Sequence, residues 1–314
     1  MRRIVVIGSK GQIGSDLIRE FSKPEGSEEK TNDPVRVSPS KSVHTTFTEN
    51  VTILPLTHQD IEICNYSQTR EILTHLRPDI VINTAAKHQV DSCEDHPIQA
   101  FETNALAARN IAQICNDLDS LFVHMSTDYV FGGDRNRKSP YTEDSKPSPI
   151  NVYGVSKLAG EYLIRKECKR HLIIRSSGLY GLSGLNNKTR NFVVMMLELA
   201  KKGNPIQVVD DQRLAPSFTG HLARKLVELL ATDSHGLFHI TNQGNCSWYE
   251  FAKRIFELTG LSANLSSITS RDYSAKAARP TYSVLANKAL SKVGLGQMPH
   301  WSKGLKDYFE KKHG

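Results

Sequence analysis

The chain has 314 residues, of which 39% are hydrophobic and 23% charged, a composition typical of a globular protein with a substantial core. No apolar run reaches the roughly 18 residues of a membrane span, and the apolar stretch after Met1 is too short for a secretory signal. We therefore expect a cytoplasmic protein that does not contact a membrane. The net charge of +7 comes from dispersed basic residues, which argues against nucleic-acid binding and suits a smaller anionic ligand such as a diphosphate.

The first half of the chain alternates short β-branched runs with longer helical segments, which predicts a parallel sheet with crossover helices. The predicted strands are residues 5–7, 51–54, 80–82, 121–125 and 172–174, and residues 98–117 are predicted as a helix. Residues 24–50 are rich in Pro, Ser, Thr, Lys and Glu, which favours a mobile insertion. Within it, residues 35–37 are the candidate second strand.

After residue 175 the pattern changes to longer helices, at 191–202 and 248–258, interrupted by strand-like runs at 206–209 and 237–240. We therefore predict an α/β fold: a Rossmann-like, doubly wound parallel sheet with a smaller, mainly helical C-terminal substrate lobe. In this interpretation residues 1–176 form the first domain and 206–242 return to it in part. Residues 177–205 and 243–314 form the substrate lobe.

A glycine-rich turn follows the first predicted strand. Gly8, Gly11 and Gly14 have G-x-x-G-x-x-G spacing and lead into an amphipathic helix, as in turns that bring backbone N–H groups to a pyrophosphate. A plain turn is the alternative, because Gly178, Gly181 and Gly184 repeat the spacing after another strand. Only the first copy opens the alternating strand and helix series, so it predicts an NAD(P) site.

The choice between NADPH and NADH depends on the residues after the second strand. NAD preference usually needs an acidic residue there, and none stands out after residues 35–37. Ser38, Ser40 and Lys41 follow instead and favour NADP slightly, because such side chains suit a 2′-phosphate. Ordinary solvated loop residues are an equally good explanation of them.

Tyr153 and Lys157 place a phenol and an ammonium one helical turn apart on the same face. A nearby cation favours the phenolate, lowers the tyrosine pKa and lets the phenol exchange a proton with a substrate oxygen. The spacing alone carries little information, since it recurs at Tyr162/Lys166, Tyr249/Lys253 and Tyr308/Lys312. Tyr153 stands out because the preceding strand, 121–125, ends in Ser126-Thr127-Asp128, where doubly wound sheets hold ligands.

Taken in this order, the motifs resemble the extended short-chain dehydrogenase/reductases, and more closely the dTDP-4-dehydrorhamnose reductase family. The resemblance runs from residue 1 to about 310 and includes residues 76–79, 83–86, 90–91, 126–131, 148–161, 211–216, 278–280 and 299–301. It implies the catalytic set Thr127, Tyr153 and Lys157, with Lys157 also holding the nicotinamide ribose. It implies cofactor contacts from Gly8, Gly11, Gln12, Ile13, Gly14, Glu62, Ile63, Thr84, Ala85 and Ala86. It places Asp128, Gly178 and Arg279 beside the sugar.

The chain departs from the family pattern in two respects. The family often has a tryptophan against the sugar where this chain has Gly178, which predicts a roomier and less strict sugar subsite. Some members bind Mg²⁺ through glutamates at a dimer contact, and only Asp16 matches loosely. The sequence therefore assigns no metal ligand and leaves Mg²⁺ and a homodimer open. The five scattered cysteines, with no C-x-x-C pair, indicate reduced thiols and no structural zinc site.

The leading hypothesis implied by the resemblance is NAD(P)H-dependent reduction of the C4 keto group of a nucleotide-diphosphate 4-keto-6-deoxysugar, first of all dTDP-4-dehydrorhamnose to dTDP-L-rhamnose. Thr127 would orient the carbonyl and Tyr153 would protonate its oxygen. One alternative is a non-catalytic NADP-binding subunit resembling the regulatory subunit of methionine adenosyltransferase. Another is a nucleotide-sugar epimerase or dehydratase of the same fold, which would consume no cofactor.

Overall fold

A six-stranded parallel sheet organises the part of the chain that the computed structural model describes, residues 2–23, 51–183 and 190–313. The strands are β1 Arg2–Ile7, β2 Val51–Leu56, β3 Ile80–Asn83, β4 Leu121–Thr127, β5 His171–Ser176, β6 Leu179–Tyr180, β7 Ile206–Val209, β8 Arg213–Leu214, β9 Ser217–Phe218, β10 Gly236–His239, β11 Cys246–Ser247 and β12 Leu265–Ile268. The large sheet has the order β10-β5-β4-β3-β1-β2, and the remaining strands form two-stranded pairs. This confirms the predicted doubly wound α/β fold.

Helices cover both faces of the sheet and fill the second half of the chain. The α-helices are α1 Gln12–Phe21, α2 Tyr66–Leu76, α3 Val90–Asp95, α4 Pro97–Phe101, α5 Ala107–Asp117, α6 Val152–Glu167, α7 Phe192–Lys201, α8 Thr219–Leu230, α9 Trp248–Thr259, α10 Ser270–Tyr273, α11 Lys288–Lys292 and α12 Trp301–His313. A π-helical segment, Glu102–Leu106, joins α4 to α5, and a 3₁₀ turn, Asp128–Val130, follows β4. Among these helices, none is long and apolar enough to cross a bilayer.

The central strands are buried because they carry apolar side chains on both faces, as parallel sheets require. On one face, Ile4 and Val6 of β1 pack with residues of α1 and α8. On the other face, Val5 and Ile7 pack with residues of α5 and α6. A third cluster, in the second half of the chain, contains Tyr180 and residues of α7, α9 and α12.

The register of the sheet clarifies its second strand. β2 pairs with β1 along its whole length, from Arg2 opposite Val51 to Ile7 opposite Leu56. The candidate second strand at residues 35–37 lies outside the described residues, together with Ser38, Ser40 and Lys41. The segment that follows β2 begins at Thr57.

The helix predicted at 98–117 is a single helical stretch with a change of winding. Asn104 lies in its π-helical segment with no exposed surface, and its amide donates to the Lys87 carbonyl at 3.0 Å and accepts the Lys87 N–H at 2.9 Å. These bonds tie the segment to the chain after β3. π-Helical turns of this kind are frequent at functional sites.

Candidate active site

The glycine turn lies between β1 and α1 and is packed too tightly for side chains. Gly8 has a φ of +80°, and a Cβ there would lie 2.6 Å from Thr84 Oγ1. A Cβ on Gly14 would lie 2.4 Å from the Gly8 carbonyl oxygen. The N-cap of α1 is Gly11, which offers no capping side chain, so the first N–H groups of α1 are left for another acceptor.

These features fit a dinucleotide. Ser9 is 3% exposed and its Oγ has no hydrogen-bond partner among the described residues, which leaves a buried donor inside the turn. The turn lies at the carboxyl ends of β1 and β2, where doubly wound sheets bind ligands, since Gly8 N–H donates to the Leu56 carbonyl at 2.9 Å. Uncapped helical N–H groups and a close backbone suit a pyrophosphate, so the residues present are those that a bound NAD(P) requires.

The segment after β3 packs against the same turn. Thr84 Oγ1 lies 2.8 Å from the Ile7 carbonyl and 3.2 Å from the Gly8 carbonyl, and donates to them. Ala85 N–H donates to Asn83 Oδ1 at 3.1 Å, and Ala86 is half-buried beside it. The structure therefore brings together two of the three predicted cofactor segments.

The other predicted cofactor residues have mixed surroundings. Ile13 and Ile63 are core side chains, 7% and 5% exposed, so any contact they make with a cofactor would come from their backbone atoms. Glu62 lies after β2, where its carboxylate accepts the Cys64 N–H and contacts the His58 ring at 3.1 Å. Gln12 Oε1 accepts hydrogen bonds from the Gly181 N–H at 2.7 Å and from the Asn191 amide at 3.0 Å, tying the turn to the second half of the chain.

The second glycine motif is a packing feature. Gly178 has a φ of +51°, and a Cβ on Gly181 would lie 2.1 Å from Thr219 Oγ1, so the backbone is pressed against neighbouring elements. Gly184 lies outside the described residues. A Cβ on Gly178 would lie 2.8 Å from Leu214 Cδ1 and 3.2 Å from the Pro216 Cα. An aromatic ring at this position would therefore require the backbone to change as well.

Helix α6 carries Tyr153 and Lys157 and is seated closely on its neighbours. Asn151 Oδ1 accepts the Gly154 N–H at 2.7 Å and caps its first turn. A Cβ on Gly154 would lie 2.1 Å from the Tyr129 carbonyl oxygen, and one on Gly160 would lie 2.3 Å from the Asn104 carbonyl oxygen. Both glycines therefore let the helix approach the strand end and the π-helical segment.

Tyr153 and Thr127 are brought together at the end of β4. The phenol of Tyr153 lies near enough to the Thr127 hydroxyl for that hydroxyl to act on its pKa, and its ring packs edge-on against Tyr129 at 5.8 Å between centroids. Burial raises the pKa of Tyr153 above its usual value, and the Thr127 hydroxyl opposes this rise only in part. The sequence analysis expected Lys157 to lower the pKa of Tyr153. This expectation is wrong for the structure described here, because Lys157 Nζ contacts His124 and Met125 instead of the phenol.

Lys157 is 1% exposed, and its ammonium site is enclosed by the sheet. Nζ donates to the Met125 carbonyl at 2.6 Å and lies 2.9 Å from His124 Nε2. Burial lowers the pKa of Lys157 to about 8, while the charge of Glu161 raises it. Burial also holds the pKa of His124 well below its usual value, with a further contribution from Lys157, so the imidazole is neutral.

Asp128 is a buried carboxyl, 3% exposed, next to Thr127. It accepts hydrogen bonds from Ser177 Oγ at 2.8 Å and Ser283 Oγ at 2.5 Å. Burial raises its pKa to about 6, although these hydroxyls lower it. The carboxyl thus links the end of β4 to segments from the second half of the chain.

Arg279 and Asp16 each have a protein partner. The Arg279 guanidinium binds both Asp91 oxygens, at 2.8 and 3.1 Å, and its role toward the sugar stays a prediction. Asp16, the loose match to a metal ligand, is hydrogen-bonded to Arg19 and Thr219, and burial raises its pKa. In the described ranges, no group of three or more His, Cys, Asp or Glu side chains is arranged to hold a metal ion.

Sequence reasoning missed several polar residues beneath the site. His124 and Asn83 are fully buried on β4 and β3, and Asn104 donates to Ser156 Oγ at 3.0 Å. Glu161 forms a two-point ion pair with Arg175 at 2.8 and 2.6 Å. The available signal was a polar residue inside an apolar run, as with His124 between Val123 and Met125.

The fold and this arrangement of side chains define an NAD(P)-dependent oxidoreductase of the extended short-chain dehydrogenase/reductase class. The RmlD substrate binding domain family matches residues 1–313, and the chain belongs to this family. The family membership confirms the resemblance found in the motifs.

Three relatives illustrate the similarity. The chain is 35% identical to the spore coat polysaccharide biosynthesis protein SpsK of Bacillus subtilis, over 99% of this chain and 98% of that protein. It is 34% identical to dTDP-4-dehydrorhamnose reductase of Escherichia coli, over 78% of this chain and 83% of that protein. The crystal structure of dTDP-4-dehydrorhamnose reductase from Bacillus anthracis in complex with NADP has a TM-score of 0.86 and 34% identity, covering 99% of this chain and 100% of that one.

Proposed function

We propose that the protein reduces the C4 keto group of a dTDP-linked 4-keto-6-deoxysugar with NADPH, converting dTDP-4-dehydrorhamnose to dTDP-L-rhamnose. The observation that carries the proposal is that Thr127, at the end of β4, and the phenol of Tyr153 lie together in a fold whose glycine turn fits a dinucleotide. The relatives named dTDP-4-dehydrorhamnose reductase support this substrate. Residues 177–205 and 243–314 would form the side of the cleft that receives the sugar.

In the proposed reaction, bound NADPH supplies a hydride to C4 of the keto sugar. The Thr127 hydroxyl orients the carbonyl oxygen, and Tyr153 donates its phenolic proton to that oxygen as charge develops on it. Because burial raises the pKa of Tyr153, the phenol is protonated at neutral pH, as an acid that donates a proton must be. The carbonyl thereby becomes a hydroxyl, and the tyrosine recovers its proton from solvent.

The cofactor preference is proposed to depend on Lys10, which lies in the glycine turn and is exposed. Hydrogen bonds from Thr57 lower the pKa of Asp60, and the charge of Lys10 lowers it further, which puts Lys10 near the chain that follows β2. In dinucleotide-binding sheets this region faces the adenosine ribose. A lysine there supports binding of a 2′-phosphate, and the NADP complex of the B. anthracis relative is consistent with that preference.

The test of the reaction is NADPH oxidation by the purified protein with dTDP-4-dehydrorhamnose and a panel of other 4-keto sugar nucleotides. We expect Tyr153→Phe to lower kcat by at least roughly a hundredfold, in line with the contribution of a general acid, with little change in NADPH affinity. Tyr162→Phe is the matched control, because Tyr162 lies on the same helix and is 55% exposed. Equal kcat for Tyr153→Phe and the wild type would contradict the assignment.

The same assay separates the alternatives. A regulatory subunit would bind NADPH and show no turnover with any keto sugar. An epimerase or dehydratase would transform a sugar nucleotide without net oxidation of the cofactor. Either result would overturn the proposed reduction.

We propose that the protein works as a homodimer in the cytoplasm. Large apolar side chains are exposed on α4, the π-helical segment and α6, which pack side by side: Ile98 81%, Leu106 43%, Val155 40% and Tyr162 55%. Exposed apolar side chains on adjoining helices favour contact with a second copy. Light scattering of the wild type and of Ile98→Glu tests this, and a wild-type monomer would contradict it.

A further inference from the structure

A line of buried polar side chains leads from Lys157 across the sheet to the segment that packs on the glycine turn. Lys157 Nζ lies 2.9 Å from His124 Nε2, and His124 Nδ1 lies 3.4 Å from Asn83 Nδ2. Asn83 Oδ1 accepts the Ala85 N–H at 3.1 Å. The three side chains are at most 1% exposed, so they must satisfy one another rather than water.

The direction of each hydrogen bond in this line follows from Asn83. Its oxygen is held by Ala85, so its amide nitrogen, which can only donate, is turned toward the imidazole. His124 Nδ1 must then accept, and the proton of the neutral ring resides on Nε2. An Nε2–H group directed at Lys157 Nζ needs an acceptor, and a lysine nitrogen accepts only when it is an uncharged amine.

A charged Lys157 requires the opposite arrangement. An ammonium donates to Nε2, so the imidazole proton must lie on Nδ1, facing the Asn83 amide nitrogen, donor against donor. Rotating the Asn83 amide relieves this conflict, because its oxygen then faces Nδ1. The rotation withdraws the acceptor from the Ala85 N–H.

We propose that His124 is a positioning residue for the Lys157 side chain, and that the His124 tautomer is tied to the charge of Lys157 and to the orientation of the Asn83 amide. The inference rests on the proposed reductase function. When Lys157 becomes an ammonium it takes up one proton, while the imidazole loses a proton at Nε2 and gains one at Nδ1 and stays neutral. The line therefore connects the lysine's charge to the segment beside the glycine turn.

Other ionisable groups around Lys157 and Tyr153 are already engaged or lie outside the line. Glu161, the acidic neighbour of Lys157 on its own helix, is held by Arg175 and by Ser126 Oγ at 2.6 Å. Asp128 is held by two serine hydroxyls. The groups whose charges act on Tyr153 are Asp128 and Cys93. Among these described neighbours, only His124 bonds Lys157 Nζ through a titratable side chain.

The first test is ¹⁵N NMR of histidine-labelled protein without cofactor. The signals of His124 are assigned by their loss in His124→Gln, with His75→Gln, an exposed position, as control. We expect a neutral ring throughout that changes from the Nδ1–H to the Nε2–H tautomer as the pH rises through about 8, where Lys157 loses its proton. In Lys157→Met the change should disappear.

The second test is the pH dependence of kcat. We expect His124→Phe to move the alkaline limb of the profile down by about one pH unit, because a buried ammonium that loses an acceptor is less favourable. His124→Gln, whose side-chain oxygen can accept from Nζ, should restore the wild-type limb. A merely structural role of the ring would lower kcat without moving the limb.

These two tests fail in distinguishable ways. A His124 tautomer that stays constant between pH 6 and 10, or that changes equally in Lys157→Met, overturns the proposal whatever the activity. An alkaline limb that is unmoved in a folded His124→Phe protein also overturns it. Absence of reductase activity with an intact tautomer change would refute the proposed function alone.

Discussion

Replacing Arg175 by methionine should strongly destabilise the protein, because it leaves a buried carboxylate without its cation. Arg175 and Glu161 are 1% and 0% exposed and share two hydrogen bonds of 2.8 and 2.6 Å. After Arg175→Met, Glu161 keeps the Ser126 hydroxyl and only a distant contact, 3.6 Å, with the half-exposed Arg165. Removing one partner of such a buried pair costs about 3–5 kcal/mol.

The expected loss is large enough to measure by two methods. For 314 residues, the entropy of unfolding near 60 °C is about 0.7 kcal/mol/K, so Tm should fall by about 4–8 °C. Urea unfolding followed by circular dichroism should give the 3–5 kcal/mol directly. Arg165→Met is the control, since an exposed partner contributes under about 1 kcal/mol.

The double variant Glu161→Leu/Arg175→Met separates loss of the ion pair from loss of packing. It removes both charges and leaves only the Ser126 hydroxyl without its acceptor, so its free energy of unfolding should lie within about 1–2 kcal/mol of the wild type. If Arg175→Met costs no more than the Arg165→Met control, or if the double variant is less stable than Arg175→Met, then the burial argument is wrong.

Three further outcomes are expected. Gly178→Ala should cost more free energy of unfolding than Gly203→Ala, because both have positive φ but only Gly178 has Leu214 within 2.8 Å of the new Cβ; equal costs would contradict the clash. Lys10→Ala should raise KM for NADPH about tenfold, roughly the 1–2 kcal/mol of one charge-assisted bond, and leave KM for NADH unchanged; an equal rise for both would exclude a 2′-phosphate contact. Asp128 has a pKa raised to about 6 in the folded protein, so its stabilising contribution is present below about pH 4 and lost as the pH rises through 6. Wild type relative to Asp128→Asn should therefore lose about 2 kcal/mol between pH 4 and pH 7 in urea unfolding, and a constant difference would refute the shift.

The predicted parts of the fold were those specified by local pattern. β1, β3, β4 and β5 follow from β-branched runs buried on both faces, and the glycine turn follows from its spacing. The candidate second strand at residues 35–37 stays untested outside the described residues, and nothing local indicated that residues 51–56 pair with β1. Strand order depends on contacts between distant parts of the chain, and the sequence of a short apolar strand does not specify which strand it pairs with.

The sequence indicated that Thr127 and Tyr153 lie close together, because their order along the chain implies a common strand end. The catalytic roles of Thr127, Tyr153 and Lys157 stay predictions, and the residues that support them were not predicted. The lowered pKa expected for Tyr153 was wrong because it assumed where Nζ points, and that depends on His124 and Met125. His124 was missed because a single histidine within an apolar strand looks like an ordinary core residue until its partners are known.

The two glycines of α6, Gly154 and Gly160, add a packing requirement to the Tyr153/Lys157 motif. A methyl group at Gly154 or Gly160 would overlap the carbonyl oxygen of Tyr129 or Asn104, so these positions fix the depth at which the helix rests. Residues 153–160 therefore set how closely α6 approaches its neighbours, and they also carry Tyr153 and Lys157. The spacing alone therefore does not define a site: Tyr162 has the same spacing to Lys166 on this helix, and its side chain is 55% exposed.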